Sequence, residues 1–243
     1  MSDPSLSVVV PVHNEQDNIA PLVGEIVAAL RGRIAFEIVY VDDASRDGTA
    51  DALRAAMRAT PELRALRHHT QAGQSTAVRN GVKAARAPWI ATLDGDGQND
   101  PADIVKLIAA RDQAASHIKL FAGWRVNRRD SFNKRVSSKI ANAVRSRLLK
   151  DATPDTGCGL KLFERDAFLE LPYFDHMHRF LPALIHRAGW QTQSVPVNHR
   201  PRTAGISKYG MWNRLWVGIA DLQGVAWLAR RARPTATSEI SPS

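Results

Sequence analysis

Apolar residues along the chain gather in short continuous runs, separated by stretches where they recur every third or fourth position. Leu6–Val12 (LSVVVPV) and Phe36–Val41 (FEIVYV) are rich in β-branched residues and almost unbroken, the pattern of strands covered on both faces. Leu63–Arg67, Trp89–Leu93 and Ile118–Gly123 predict three more strands. Between them, Asn18–Leu30, Thr49–Ala59, Ser75–Ala87 and Pro101–Ala114 carry helical spacing, the last opening with Pro101 after Asp100. Strand–helix alternation predicts an α/β fold with a mostly parallel sheet flanked by helices. Ligands of such sheets bind at the carboxyl ends of the strands.

The second half is less regular. It predicts a basic helix over 132–149, a loop at 151–158, a strand at 159–164, helices near 165–171 and 178–188, and a strand around 191–198. Tyr209–Arg231 is apolar and tryptophan-rich, and the polar end PTATSEISPS reads as disordered. This suggests a folded body over 1–208 containing a basic segment at 111–150, then an amphipathic helical region at 209–231 and a tail at 232–243. No internal repeat is visible.

Charge sharpens the picture. The 243 residues carry a net charge of +9, and residues 111–150 alone hold 11 basic groups against Asp112 and Asp130. Such a block suits a phosphate-rich partner, be it nucleic acid, lipid headgroup or phosphorylated substrate; a solvated basic helix is the plainer reading. One cysteine, Cys158, excludes an intrachain disulfide framework and is compatible with a reducing cytosol. The opening MSDPSLSVVV lacks the pattern of a signal peptide, and no run of about 18 apolar residues exists to span a bilayer.

Carboxylates gather after three strands: Pro11-Val12-His13-Asn14-Glu15 after the first, Asp42-Asp43-Ala44-Ser45-Arg46-Asp47-Gly48-Thr49 after the second, Asp94-Gly95-Asp96-Gly97-Gln98 after the fourth. Crowded carboxylates repel unless a cation sits among them, and Mg²⁺ or Mn²⁺ takes such oxygen ligands while bridging to phosphates. By itself the D-x-D reads equally as a plain turn. Neither a dinucleotide nor a P-loop fingerprint is present.

The order of these pieces is more specific than any one of them. PVHNE, VDDASRDGT, Gly73-Gln74 before Ala77-Arg79-Asn80-Gly81, and LDGDGQNDP resemble the family 2 glycosyltransferases of GT-A fold. Gly123-Trp124-Arg125, the Lys134-Arg135 helix, the run from Asp155 to Phe163, and the run from Arg202 to Tyr209 look like its polyprenyl-phosphate branch, typified by dolichol-phosphate mannosyltransferase. The resemblance covers roughly residues 6–231.

It implies an inverting transfer of a sugar from a nucleotide-sugar to a polyprenyl phosphate, with Mg²⁺ or Mn²⁺. Pro11, His13, Glu15, Val41 and Asp43 would line the nucleobase and ribose end, although the family usually has Tyr where this chain has His13. Asp94, Gly95 and Asp96 match the donor and metal motif, with Asp96 and Gln98 as metal ligands. Arg202 and Lys208 match positions that reach the donor diphosphate. Arg125 and Arg135 match residues that hold the acceptor phosphate; Ser137 or Ser138 adds a hydroxyl, and Lys139 stands where a serine is expected. Asp155 aligns with an aspartate proposed as base, and it could equally orient the acceptor or bind the metal. His176, His178 and His199 read as structural histidines, and Cys158 as a packing residue.

Within Met211–Leu228 the polar Arg214, Asp221 and Gln223 make a membrane span expensive. An interfacial helix with Arg230, Arg231 and Arg233 toward anionic lipid fits better, against a buried helix or a dimer interface. The expectation is a peripheral protein on the cytoplasmic membrane face, with a homo-oligomer as one option for its assembly. The competing functions are a saccharide or lipid-linked saccharide acceptor on the same fold, and a non-catalytic nucleotide-sugar or membrane-binding module. A nucleic-acid binder lacks any accompanying motif.

Overall fold

The computed structural model describes residues 3–126, 148–149, 153–198, 200, 211–232 and 235, with the backbone alone for 211–217. Seven strands form one sheet: β1 (Leu6–Val12), β2 (Phe36–Asp42), β3 (Leu63–Arg67), β4 (Trp89–Thr92), β5 (Ile118–Arg125), β6 (Lys161–Glu164) and β7 (Gln191–Val197). Their order is β3-β2-β1-β4-β6-β5-β7. Adjacent strands are parallel except where β6 meets β4 and β5.

The helices are α1 (Gln16–Leu30), α2 (Thr49–Ala59), α3 (Gln74–Ala84), α4 (Ile104–Asp112), α5 (Arg165–Leu169), α6 (Leu181–Arg187) and α7 (Met211–Arg231). The strand alternation explains why the apolar runs are continuous. Val8, Val10 and Val12 of β1 pack with Ile19 and Ile26 of α1, Leu53 of α2 and Leu107 of α4. Val9, pointing the other way, joins Val78 and Val82 of α3, Phe168 of α5, Leu184 of α6 and Val225 of α7. The sheet is thus the middle layer of three, buried on both faces.

Several predicted boundaries move for local reasons. The helix predicted from Pro101 opens as a 3₁₀ turn, Pro101–Asp103, and becomes α-helical at Ile104. The one predicted over 178–188 begins as a second 3₁₀ turn, Met177–Arg179, before Pro182 starts α6. α3 stops at Ala84 because Ala85 is extended. The strand predicted at 159–164 starts at Lys161 and runs antiparallel to its neighbours. Of the basic helix at 132–149 only the helical residues 148–149 are described, and most of the tail lies outside the described residues.

α7 packs on the body with one face: Val225 and Ala226 are buried, and the Leu228 carbonyl accepts a hydrogen bond from Arg187 Nε at 3.0 Å. Asp221 of α7 lies 3.1 Å from His176 Nδ1. No described helix is long and apolar enough to cross a membrane.

α3 approaches the sheet closely at Gly81, where a Cβ would stand 2.4 Å from Val9 Cγ1 and 3.1 Å from Val41 Cγ2. Gly81→Val should therefore overpack this contact and lower stability by about 1–3 kcal/mol, read as a lower urea midpoint with an unchanged slope.

Candidate active site

Because β1, β2 and β4 are parallel, their carboxyl ends share one rim of the sheet. β6 runs the other way, so its first residue, Lys161, pairs with Thr92 at the end of β4. The loop preceding β6 is thereby brought to the same rim, and so is Arg125 at the end of β5.

At one end of the rim, the turns after β1 and β2 are stitched together. His13 Nδ1 lies 2.7 Å from the Asp43 carbonyl, the Asn14 N–H donates to Ser45 Oγ at 2.9 Å, and the Glu15 N–H donates to Thr49 Oγ1 at 3.0 Å. The Glu15 carboxylate accepts from Asn18 Nδ2 at 2.7 Å. Asp43 fastens a third segment: its Oδ1 accepts from the Ala72 N–H at 2.8 Å and meets His68 Nδ1 at 2.7 Å, while Oδ2 accepts from the Gly73 N–H at 2.8 Å. Burial pushes the Asp43 carboxyl up, but the bonds from Ala72, His68 and Gly73 outweigh it and hold its pKa below the ordinary value. Val41 is fully buried beneath α3, so it forms the floor and offers no open contact surface.

The D-x-D turn follows β4. The Asp94 N–H donates to Asn99 Oδ1 at 3.0 Å, and Asp94 Oδ1 accepts from Gln74 Nε2 at 2.8 Å. Asp96 Oδ1 accepts from the Gln98 N–H at 3.1 Å. Gly95 lets the turn press onto β1, since a Cβ there would come within 2.4 Å of Val12 Cγ1 and 3.0 Å of the Pro11 carbonyl oxygen. Burial and the charge of Asp96 raise the Asp94 pKa; Lys161, the Gln74 bond and Arg125 act against the rise. Two crowded carboxylates of this kind fit a divalent cation. The described residues supply no group of three His, Cys, Asp or Glu side chains able to hold one, so the remaining ligands must come from elsewhere. Mg²⁺ and Mn²⁺ characteristically take them from water and phosphate.

Beyond Asp94 the sign of the charge reverses. Arg125 grips Asp155 through two parallel bonds, Nε to Oδ2 at 2.6 Å and Nη2 to Oδ1 at 2.8 Å. Burial disfavours the Arg125 charge, but the Asp155 bond together with the negative charge of Asp155 and Asp94 outweighs it and raises its pKa. The loop between Asp155 and β6 runs between this pair and the D-x-D turn and carries two glycines there. A Cβ on Gly157 would lie 3.3 Å from Arg125 Nη2, and one on Gly159 would strike the Asp94 carboxylate at 2.2 Å. Lys161 is buried, donates from Nζ to the Cys158 carbonyl, and has its pKa lowered by burial against the pull of Cys158, Asp94 and Asp155. Cys158 is fully buried with its thiol pushed up, as a packing residue should be.

Pro11, Gln74, Asp94, Gly159, Lys161 and His178 line a narrow crevice at this rim. The sequence assigns no site role to Lys161 or Gln74 and reads His178 as a structural histidine. A lysine between leucines in an apolar strand was the available signal for the first; the others depend on tertiary contact. Arg135, Ser137, Ser138, Lys139, Arg202, Lys208 and His199 lie outside the described residues, as do Lys134, Arg128, Arg129, Arg145 and Arg147. Within 111–150, the described Arg111, Lys119 and Arg125 each pair with a carboxylate.

A family model, glycosyl transferase family 2, matches residues 7–171. The chain belongs to that family. A dodecaprenyl-phosphate galacturonate synthase of Rhizobium johnstonii is 35% identical over 94% of this chain and 69% of its own length. An undecaprenyl-phosphate 4-deoxy-4-formamido-L-arabinose transferase of Edwardsiella ictaluri is 33% identical over 85% of the chain and 63% of its own. The chain thus spans about two thirds of the length of these curated relatives. Among solved structures, a mannosyltransferase from Pyrobaculum calidifontis with GDP-Man and Mn²⁺ aligns with TM-score 0.68 at 19% identity, covering 98% of this chain and 67% of that one. Glucosyl-3-phosphoglycerate synthase from Mycobacterium tuberculosis, with Mn²⁺, UDP and glucosyl-3-phosphoglycerate, aligns with TM-score 0.69 at 18% identity over 96% and 82%. The fold of this family 2 glycosyltransferase is therefore GT-A, as the order of its motifs implied.

A carboxylate whose pKa is lowered by folding stabilises above its unfolded value and loses that contribution as pH falls through the folded one. Asp43→Asn should cost about 1.5–3 kcal/mol at pH 7, with the difference from wild type shrinking as pH drops below about 4. Urea unfolding at pH 7, 5, 4 and 3 checks it.

Proposed function

We propose that the chain catalyses inverting transfer of a sugar from a nucleotide-sugar to a polyprenyl phosphate, with a divalent metal ion. The observation that carries this reading is the placement of a cation, Arg125, beside the carboxylates of the D-x-D turn across the Gly157–Gly159 loop. A neutral sugar acceptor needs no such group, whereas a phosphate does. The two curated relatives support it: their names differ in the sugar and agree on a polyprenyl phosphate.

In this reading His13, Glu15 and Asp43 shape the nucleobase and ribose end, Pro11 and Val41 supporting them. Asp96, with Asp94 and the neutral oxygen of Gln98, would hold Mg²⁺ or Mn²⁺, which when bound offsets the charge of the departing nucleoside diphosphate. Arg202 and Lys208 reach that diphosphate. Arg125, Arg135 and Ser138 hold the acceptor phosphate in line with the sugar C1. A phosphate oxygen forms the new bond to C1 as the bond to the diphosphate breaks from the opposite side, inverting the centre.

The acceptor phosphate is already ionised near neutral pH, its second pKa being about 6, so the reaction does not call for a strong base. Both oxygens of Asp155 engage Arg125. That supports a role for Asp155 in orienting Arg125 over the role of base.

The lipid acceptor requires contact with a membrane. α7 supports this, because the face turned away from the core exposes Trp227 and Ile219, and Arg231 lies over the Trp227 ring at 5.6 Å. Tryptophan and arginine in that arrangement suit the headgroup layer of an anionic leaflet, here the cytoplasmic one.

The reading is tested by incubating the protein with radiolabelled nucleotide-sugars, undecaprenyl phosphate and Mn²⁺. Labelled glycolipid from at least one donor is expected; nucleotide binding without glycolipid from any donor would contradict it. Arg125→Ala should raise the KM for the lipid at least tenfold while leaving donor affinity within about twofold, consistent with loss of a charge-assisted bond of about 1.5–3 kcal/mol. Equal loss of both would contradict the assignment.

A further inference from the structure

The crevice beside Asp94 has a second wall, the turn over residues 173–179 that precedes α6. That turn is tied to the start of α3 at several points. Tyr173 Oη and Thr76 Oγ1 are 2.6 Å apart, and the Arg79 guanidinium lies 4.7 Å over the Tyr173 ring. His178 Nδ1 lies 2.7 Å from Ser75 Oγ, and the His178 N–H donates to the same oxygen at 3.3 Å. Ser75 is buried at the first turn of α3, next to Gln74, whose amide holds Asp94.

His178 is unlike the other histidine of this turn. His176 faces a carboxylate from each ring nitrogen, Asp221 at 3.1 Å and Asp175 at 3.5 Å. His178 has one ring nitrogen on Ser75 and contributes to the lining of the crevice together with Asp94, Gly159 and Lys161. Burial, reinforced by the positive charges of Arg179, Lys161 and His176, holds its pKa well below the ordinary histidine value. A neutral imidazole offers one donor and one acceptor, the complement of a sugar hydroxyl.

Resting on the glycosyltransfer reading, we propose that His178 recognises the sugar of the donor, its Nε2 hydrogen-bonding a hydroxyl of that sugar while Ser75 positions the ring. The place follows from the two ends of the site. The nucleobase end is built around His13 and Asp43, and the acceptor phosphate belongs at Arg125. The sugar must therefore lie between them, over Asp94 and Gly159, where His178 forms the wall.

Calorimetric titration with Mn²⁺ and the pairs UDP against UDP-glucose, UDP against UDP-galacturonate, and GDP against GDP-mannose tests the proposal. In wild type at least one sugar nucleotide should bind more tightly than its parent nucleotide. His178→Ala should weaken that sugar nucleotide about three- to tenfold, as expected for one neutral hydrogen bond, and leave the parent nucleotide unchanged, which also reports an intact fold. His178→Gln should restore part of the loss, and Ser75→Ala should reproduce it in smaller measure. Equal weakening of nucleotide and sugar nucleotide, or no weakening of either, would overturn the proposal. Failure of wild type to bind any nucleotide would instead overturn the glycosyltransfer reading, and this assignment with it.

Discussion

Two parallel N–H···O bonds between Arg125 and Asp155 fasten the end of β5 to the loop that enters β6, and the arrangement of the rim depends on them. Both side chains are largely withdrawn from water, with 13% and 10% of their surfaces exposed. Each ion alone would be costly in that place, so the pair survives only because its geometry is bidentate and close. Removing one partner would leave the other buried and unpaired. The constraint has a functional side. A guanidinium held in a fixed plane at the end of a strand can receive a phosphate without first being ordered.

The rest of the rim follows from keeping unlike charges apart by short, rigid spacers. Gly157 and Gly159 lie between the Arg125–Asp155 pair and the Asp94 carboxylate; a side chain on Gly159 would strike Asp94, and one on Gly157 would crowd Arg125 Nη2 at 3.3 Å. Asp94 and Asp96 repel one another, and the charges of Lys161 and Arg125 act against that repulsion at Asp94. The net charge of +9 therefore conceals a division. An acidic group of residues follows β1, β2 and β4, while cations arrive from β5 and from the start of β6.

Much of this was legible in the chain because parallel strands buried on both faces leave an unmistakable trace. LSVVVPV and FEIVYV could be little else, and the acidic turns after them mark the rim directly. The second half was harder for a physical reason. β6 is antiparallel, so the residues it delivers to the rim come before the strand and not after it. Asp155 stands out through resemblance, whereas Lys161, in the same run and at the same edge, carries no assigned role in the sequence. Gln74, Ser75 and His178 belong to a helix start and a turn about a hundred residues apart in sequence, and no local pattern announces such contacts. The tryptophan-rich helix was read as lying at an interface or packing on the body. Val225 and Ala226 are buried against the body, while Trp227 is exposed.

The central claim is that Arg125 and Asp155 act as one unit that receives the acceptor phosphate. A double-mutant cycle in kcat/KM for undecaprenyl phosphate, using Arg125→Ala, Asp155→Asn and both together, addresses it most directly. If Asp155 works through Arg125, the double variant loses no more than Arg125→Ala alone. If the two losses instead multiply, with Asp155→Asn lowering kcat at saturating acceptor, Asp155 has a chemical role of its own and the account is contradicted.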